Sequence, residues 1–160
     1  MAVAVTGATG FVGCVLVGDL LRRGLKVLPV ARDVNPELLL QQASVVVHLA
    51  ARVHVMDEKS TNPLHAFRKS NVDATVSLAR QAAAAGVARF VFMSSVKVNG
   101  EGSPLFRGFT ELDLPDPQDP YGVSKWEAEQ ALQQVAAETG MEVVIVRPPL
   151  VYGFGVKANF

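Results

Sequence analysis

The sequence has few of the features of a disulfide-stabilised, membrane-spanning or nucleic-acid-binding protein. One of its 160 residues is a cysteine, Cys14, which excludes an internal disulfide and a cysteine-rich metal site. No apolar run approaches the roughly 20 residues of a membrane span, and the N-terminal MAVAVTGATG lacks the basic region of a signal peptide. The 15 basic and 15 acidic residues balance, whereas nucleic-acid-binding proteins normally carry a basic patch. We therefore expect a cytoplasmic protein whose partners are neither membranes nor nucleic acids.

The histidines do not form a metal-ligand pattern. His48 lies inside an apolar stretch and is predicted to be a hydrogen-bonded core residue rather than a base. His54 and His65 are isolated, and no ligand spacing links the three. We predict no metal site.

Short apolar runs alternate with longer helical patterns, which predicts parallel βαβ units. Pro29 indicates an edge position for the second strand, and only roughly a dozen residues separate that strand from the third, which leaves room for one helix and no more. The expected fold is a Rossmann-like, doubly wound parallel α/β sheet of about five strands, shortened between the second and third, in one domain over residues 1–160. Strands are predicted at 2–5, 26–31, 44–51, 88–95 and 141–148, and helices at 11–24, 36–43, 62–86 and 121–140.

A glycine-rich turn, TGATGFVG, follows the first strand and opens the first helix. In a dinucleotide-binding turn, Gly7 would permit the tight turn, Gly10 the approach of a pyrophosphate and Gly13 close packing of the helix. The amides at the helix start then face the anion. The alternative is a glycine-rich turn that binds nothing, but the strand–turn–helix context favours a cofactor. The predicted contacts are Gly7, Ala8, Thr9, Gly10, Phe11, Val12 and Gly13.

The end of the second strand bears on the choice between NAD and NADP. An acid that holds the ribose hydroxyls of NAD is expected there, but the sequence reads Ala31, Arg32, Asp33. An arginine at this point accepts a 2′-phosphate, so the sequence leans toward NADP, although Asp33 is placed to reach a ribose. The alternative reading makes Arg32 a solvated loop residue.

Three features are predicted to meet at the carboxyl edge of the sheet, where parallel α/β proteins bind ligands. The first is Leu49-Ala50-Ala51, whose small side chains leave room for a cofactor, and the second is Ser94-Ser95. The third is Tyr121 with Lys125, which lie on one helical face about 6 Å apart. A tyrosine titrates at about pH 10, but a neighbouring ammonium and a cofactor cation both favour its phenolate. The set is suited to moving a proton while a hydride passes to or from a nicotinamide.

These motifs carry a resemblance to a known family. TGATGFVG, HLAA, SSVKVNG, PYGVSK and RPPLVYG, in this order, resemble the extended short-chain dehydrogenase/reductase superfamily. More closely, they resemble its NAD-dependent epimerase/dehydratase branch, which includes UDP-galactose 4-epimerase and bacterial UDP-4-keto-sugar reductases. HLAARVHVMDE, SSVKVNGE and PQDPYGVSKWEAEQAL are most similar to members used in O-antigen and related surface-polysaccharide synthesis. The resemblance covers almost the whole chain.

The resemblance implies roles for individual residues. Ser95 would be the substrate-binding hydroxyl, preferred to Ser94 because relatives carry Tyr-Gly four residues later, where this chain has Asn99-Gly100. Tyr121 would be the acid/base, and Lys125 would hold the nicotinamide ribose and lower the tyrosine pKa. By the same resemblance, Asn71 supports the catalytic strands, Pro148 lies near the nicotinamide and Asn159 begins the sugar-nucleotide contacts.

The implied activity is hydride transfer at C4 of a nucleotide sugar, with a UDP-linked hexose as the expected substrate. Epimerase, reductase and dehydratase stay open, and a homodimer through the long helices at 62–86 and 121–140 is expected. Relatives carry an acid-containing segment before HLAA that this chain lacks, and they continue beyond RPxxVYG into a sugar-nucleotide domain that we expect to be absent here. Leu150 also stands where relatives often have Asn. The alternative hypothesis is therefore a truncated dinucleotide-binding module without turnover of its own.

Overall fold

The computed structural model describes residues 1–31, 35–53, 62–103, 107–153 and 155–156. Strands and helices alternate along this part of the chain, as the apolar runs predict. The strands are β1 (Ala2–Thr6), β2 (Lys26–Val30), β3 (Val45–His48), β4 (Arg89–Met93) and β5 (Glu142–Val146). The α-helices are α1 (Phe11–Arg22), α2 (Glu37–Leu40), α3 (Pro63–Arg68), α4 (Ala74–Ala84) and α5 (Pro120–Thr139).

The five strands form one parallel sheet in the order β2-β1-β3-β4-β5. Pro29 lies in β2, which is an edge strand, so the prediction from that proline is confirmed. The Rossmann order is 3-2-1-4-5-6, and this sheet has the same order without strand 3 once the remaining strands are renumbered along the chain. The predicted shortening is confirmed, because between β2 and β3 the structure describes a single short helix, α2. The chain reverses its direction across the sheet between β1 and β3.

The main core lies on one face of the sheet, under α2, α4 and α5. It includes Phe90 and Phe92 of β4, which alternate with residues directed to the other face. Val3 and Val5 of β1 are also buried but stand outside this cluster, and α1 packs against β1 and β2. Helices therefore cover the sheet from two sides, as the doubly wound prediction requires.

One long predicted helix differs from the expectation. The segment 62–86 is helical from Pro63 to Ala84, but Lys69–Asp73 forms a π-helical turn between α3 and α4. Such wide turns recur at functional sites. The buried Asn71 lies at its centre.

Candidate active site

The carboxyl ends of β1, β3, β4 and β5 meet at one edge of the sheet, because all five strands run parallel. The glycine turn follows β1, Leu49-Ala50-Ala51 follow β3, and Ser94-Ser95 follow β4. The first turn of α5 brings Tyr121 to the same edge. The three features that the sequence predicts to converge are therefore neighbours in the fold.

The glycine turn packs so closely against neighbouring backbone that side chains at Gly7 and Gly13 would not fit. Gly7 has φ +66°, and a methyl group there would approach the Ala50 amide nitrogen to 2.9 Å. A methyl group on Gly13 would lie 2.1 Å from the Gly7 carbonyl oxygen, so this glycine lets α1 start directly against the turn. Helix α1 begins at Phe11 with no side-chain cap and no acid in its first turn among the described residues. Its first amides are thus arranged to receive an anion.

A buried hydrogen-bond chain fixes the loop after β3 to the glycine turn. The Ala50 amide donates to Thr6 Oγ1 at 3.2 Å, and Thr6 Oγ1 lies 2.7 Å from His48 Nδ1. His48 Nε2 lies 3.0 Å from Thr75 Oγ1 of α4. Burial, assisted by the Lys125 charge, lowers the pKa of His48 to about 3. His48 is thus a neutral core histidine, and the prediction that it is a hydrogen-bonded core residue is confirmed.

The two serines after β4 have different environments. Ser94 is 3% exposed, and its hydroxyl donates to the buried carboxylate of Glu129. Ser95 is half-buried and accepts a hydrogen bond from the Lys97 amide at 3.2 Å, which caps the 3₁₀ turn Val96–Val98. The Ser95 hydroxyl also lies close enough to Tyr121 to lower the pKa of its phenol. This geometry favours Ser95 over Ser94 as the residue that acts with the tyrosine.

Tyr121 and Lys125 lie on one face of α5, as their spacing predicts. The Lys125 ammonium is 5.9 Å from the Tyr121 ring centroid and 4.5 Å from that of Phe92. Lys125 is 2% exposed and donates to the Met93 carbonyl oxygen at 2.8 Å. Burial lowers the pKa of Lys125 to about 8, although the charge of Glu129 acts in the opposite direction. The ammonium therefore titrates close to neutrality.

The tyrosine itself departs from the expectation. Burial raises the pKa of Tyr121 above its usual value near 10, the hydrogen bond with Ser95 opposes this, and the charge of Asp119 adds to it. The expected lowering by Lys125 is not found: Lys125 is not among the groups that shift this pKa, and the loss of water around the phenol is the largest effect. A further positive charge is needed to bring the phenolate into use near neutrality.

Asn71 connects the loop after β3 to helix α5. It is 1% exposed, its Oδ1 accepts from the Arg52 amide at 2.8 Å, and its Nδ2 donates to the Arg52 carbonyl at 3.0 Å. The same Nδ2 donates to Ser124 Oγ at 3.0 Å, and Ser124 donates to the Tyr121 carbonyl at 2.8 Å. Asn71 thus acts as a structural support for the edge.

The ion pair between Glu129 and Arg147 also lies at this edge, and the motifs alone do not reveal it. Arg147 directs Nε and Nη2 at the Glu129 carboxylate, at 3.0 Å and 2.5 Å from its two oxygens. Arg147 precedes Pro148, whose carbonyl accepts from the Val96 amide at 3.0 Å. The only sequence signal is a glutamate one turn after Lys125 on the same helical face.

The remaining residues near this edge form ion pairs or a helix cap, or lie outside the described ranges. Lys97 pairs with Glu101 and Asp119, and Asp119 caps α5 through the Gly122 amide at 2.6 Å. Arg32, His54 and Asn159 lie outside the described residues. Within the described ranges, no helix is long and apolar enough to cross a membrane, and no cluster of three or more histidine, cysteine or acidic side chains offers a metal site.

A groove of about 1130 Å³ lies beside α5 and reaches this edge at Val96, Glu129 and Arg147. Asn99, Trp126 and Arg147 are among its lining residues, whereas Tyr121, Lys125 and the glycine turn are not. The convergence of polar groups at the strand ends, rather than the size of a cavity, therefore identifies the candidate site.

Known proteins share both the sequence and the fold. The sequence model of the NAD dependent epimerase/dehydratase family matches residues 3–160. A UDP-glucose 4-epimerase of Vibrio cholerae is 45% identical over 99% of this chain and 54% of its own length. A UDP-2-acetamido-2,6-beta-L-arabino-hexul-4-ose reductase of Pseudomonas aeruginosa is 30% identical over 100% of this chain and 38% of its own. The chain thus spans about half or less of these relatives.

Among solved structures, the UDP-glucuronic acid 4-epimerase of Bacillus cereus, in complex with NAD, superimposes with a TM-score of 0.83. The two chains are 25% identical, and the match covers 96% of this chain and 57% of that one. The Rossmann-like prediction is therefore confirmed by an independent structure as well as by the strand order.

Proposed function

Because this chain belongs to the NAD dependent epimerase/dehydratase family, we propose that it is the cofactor-binding part, over residues 1–160, of a nucleotide-sugar epimerase that uses NAD or NADP. The observation that carries the proposal is the meeting of Ser95 and Tyr121 at the sheet edge that also holds the glycine turn. The 45% identity to a UDP-glucose 4-epimerase supports an epimerase and a UDP-linked hexose as its substrate.

The residues of the turn fit a dinucleotide. Because Gly7 and Gly13 lack a Cβ, the turn packs directly against the Ala50 backbone and against the start of α1, and among the described residues no side chain caps the first amides of α1. These groups would hold the pyrophosphate, with Leu49, Ala50 and Ala51 lining the cofactor. When bound, the nicotinamide supplies the acceptor and donor of the hydride at sugar C4.

Tyr121 handles the proton of the C4 hydroxyl. Its phenolate oxygen removes that proton as the C4–H hydride departs, and the phenol returns it when the hydride comes back to the opposite face. Ser95 lies beside the phenol and donates a hydrogen bond to the same sugar oxygen. The phenolate forms near neutrality only if positive charge offsets the effect of burial, and a bound nicotinamide cation would supply that charge together with Lys125.

Substitution of Tyr121 tests this role. Tyr121→Phe removes the ionisable oxygen, and we expect turnover of UDP-glucose by the whole enzyme that contains this chain to fall by about 10²–10⁴-fold, with its affinity for NADH unchanged. Tyr152→Phe is the matched control, because Tyr152 is the other tyrosine of the chain and is 77% exposed. Near-normal turnover in Tyr121→Phe would show that the proton role is wrongly assigned. Cofactor binding without turnover in the wild type would support the alternative of a binding module.

A 4-keto reductase is the second candidate, favoured by the reductase from Pseudomonas aeruginosa and by the NADP preference that Arg32 suggests. An epimerase retains its cofactor between turnovers, whereas a reductase releases it oxidised. Native mass spectrometry of the purified protein distinguishes the two by the retained NAD or NADP. The same spectrum reports whether the chain forms the homodimer that its family resemblance suggests.

A further inference from the structure

Glu129 is an acid in the interior that receives hydrogen bonds from two separate segments. It is 2% exposed, and its carboxylate accepts from the Ser94 hydroxyl after β4 and from the Arg147 guanidinium after β5. Arg147 in turn donates to Asn99 Oδ1 at 3.3 Å, and its guanidinium lies 5.8 Å from the Trp126 ring centroid. The carboxylate thus connects α5 to the ends of two strands.

Stability alone does not account for such a group. Burying two charges carries a desolvation cost that their attraction often fails to exceed, and apolar residues of similar volume serve stability as well or better. A buried pair with many hydrogen bonds instead fixes the relative positions of the segments that carry it. Here those segments carry the residues of the proposed reaction.

The positions of the contacts show what is fixed. Lys125 and Glu129 lie one turn apart on α5 and bind consecutive residues of β4 and its end, the Met93 carbonyl and the Ser94 hydroxyl. The residue after Ser94 is Ser95, which lies next to Tyr121, and Tyr121 is one turn before Lys125 on α5.

The end of β5 has a similar arrangement, because Arg147 directly precedes Pro148. Moving the Glu129 carboxylate would therefore displace Ser94 and Arg147, and with them the residues that follow, Ser95 and Pro148.

We propose that Glu129, held by Arg147, is a positioning residue that sets Ser95 against Tyr121 and places a carboxylate one turn from Lys125 on α5. This inference rests on the proposed function, which assigns the catalytic roles of Ser95, Tyr121 and Lys125. The positions of these side chains can be measured without any turnover. Glu129 touches neither substrate nor cofactor in this scheme and acts through Ser94 and Lys125.

The charged groups around Lys125 determine the direction in which its pKa should change when Glu129 is replaced. On α5, Lys125 faces Tyr121 and Glu129; from β3 it faces His48, which is neutral near pH 8; and beyond Glu129 lies the Arg147 cation. Glu129 is the anion that favours the lysine ammonium. Removing its charge leaves Arg147 without that partner and disfavours a second cation nearby.

The test is the titration of Lys125 by NMR in protein labelled at the lysine Cε carbons. The chain has six lysines, and Lys125→Met identifies the signal. In Glu129→Gln, which keeps the volume, we expect the Lys125 midpoint to fall from about 8 by about one pH unit. A merely structural loss would loosen the core, admit water and move the midpoint upward toward its value in water.

Two variants on the same helix serve as matched controls. Glu127→Gln removes a carboxylate that pairs with Arg68 on the outer side, and Val135→Ala removes buried volume without touching a strand end. Neither is expected to lower the Lys125 midpoint. A crystal structure of Glu129→Gln should show the Ser95 and Tyr121 hydroxyls farther apart than in the wild type, whereas Glu127→Gln should keep the wild-type separation.

Turnover separates this inference from the function beneath it. We expect Glu129→Gln to reduce kcat for a UDP-hexose by at least about tenfold, because misplaced groups lose orientation, with NADH affinity unchanged. If the whole enzyme that contains this chain binds NADH but turns over no nucleotide sugar, the proposed function is contradicted, and the titration and crystal structure still decide on Glu129. An unchanged or raised Lys125 midpoint in Glu129→Gln, or an unchanged Ser95–Tyr121 contact, would overturn the positioning role.

Discussion

Gly7 and Ala50 approach each other across the sheet edge so closely that a methyl group on Gly7 would lie 2.9 Å from the Ala50 amide nitrogen. The contact joins the turn after β1 to the loop after β3, at the place where the chain reverses its direction across the sheet. Ligands of open α/β sheets bind at such a point. The contact is therefore both a constraint on the fold and a wall of the proposed cofactor site.

Gly7→Ala should destabilise the protein and abolish cofactor binding. The new side chain meets backbone atoms, and φ +66° costs a non-glycine residue about 1–2 kcal/mol. Gly18→Ala is the control, because Gly18 lies in α1 with open space around its Cα, and alanine there should stabilise the protein by about 0.5–1 kcal/mol. Thermal unfolding and NADH fluorescence measure the two effects. Wild-type NADH affinity in Gly7→Ala would contradict the assignment of the turn.

His48 should make the free energy of unfolding depend on pH below neutrality. Its pKa is about 3 in the folded protein and 6.5 as a model value, so between these values the unfolded chain binds one more proton. Stability is therefore full above pH 6.5 and declines as pH falls toward 3, by up to about 1.4 kcal/mol per pH unit. Urea unfolding from pH 7 to pH 5 measures the slope.

His48→Gln should reduce that slope, while His65→Gln, at an exposed position of α3, should keep it. Carboxylates add their own pH dependence, so the comparison between the two variants is the informative quantity. Equal slopes in both variants would mean that His48 does not remain neutral in the folded protein.

Asn71→Ala should weaken the connection between α5 and the loop after β3. The substitution removes three hydrogen bonds and leaves the backbone groups of Arg52 without that partner, each at about 1–3 kcal/mol when buried. We expect the free energy of unfolding to fall by about 2–5 kcal/mol and NADH affinity to fall with it. Gln81→Ala, on the exposed side of α4, should change stability by about 0.5 kcal/mol or less. A loss in Asn71→Ala no larger than in Gln81→Ala would refute this support role.

Local sequence patterns predict the architecture well because they report local causes. The apolar runs locate all five strands, Pro29 marks an edge, and the short interval before β3 accounts for a sheet with one strand fewer. The convergence of Ser95 and Tyr121 also follows from sequence, since parallel strands bring their carboxyl ends to one edge.

What the sequence does not predict depends on distant packing. The raised pKa of Tyr121 results first from burial in the folded protein, an effect that the i, i+4 spacing of Tyr121 and Lys125 does not report. The Glu129–Arg147 pair joins residues 18 positions apart, and the Ser94–Glu129 bond joins residues 35 apart. Each pair joins residues of two different segments, one in α5 and one after a strand, so no periodicity within a single helix or strand reports them.

The π-helical turn at Lys69–Asp73 controls the angular phase of the long helix. Buried residues in its first half recur every four positions, at Phe67, Asn71 and Thr75. In a regular α-helix of 3.6 residues per turn, that spacing rotates the buried line by about 40° at each step. The π-helical turn contains one extra residue, which offsets this rotation of the buried face. The same face of the helix therefore contacts the proposed reaction edge at one end and the hydrophobic core at the other.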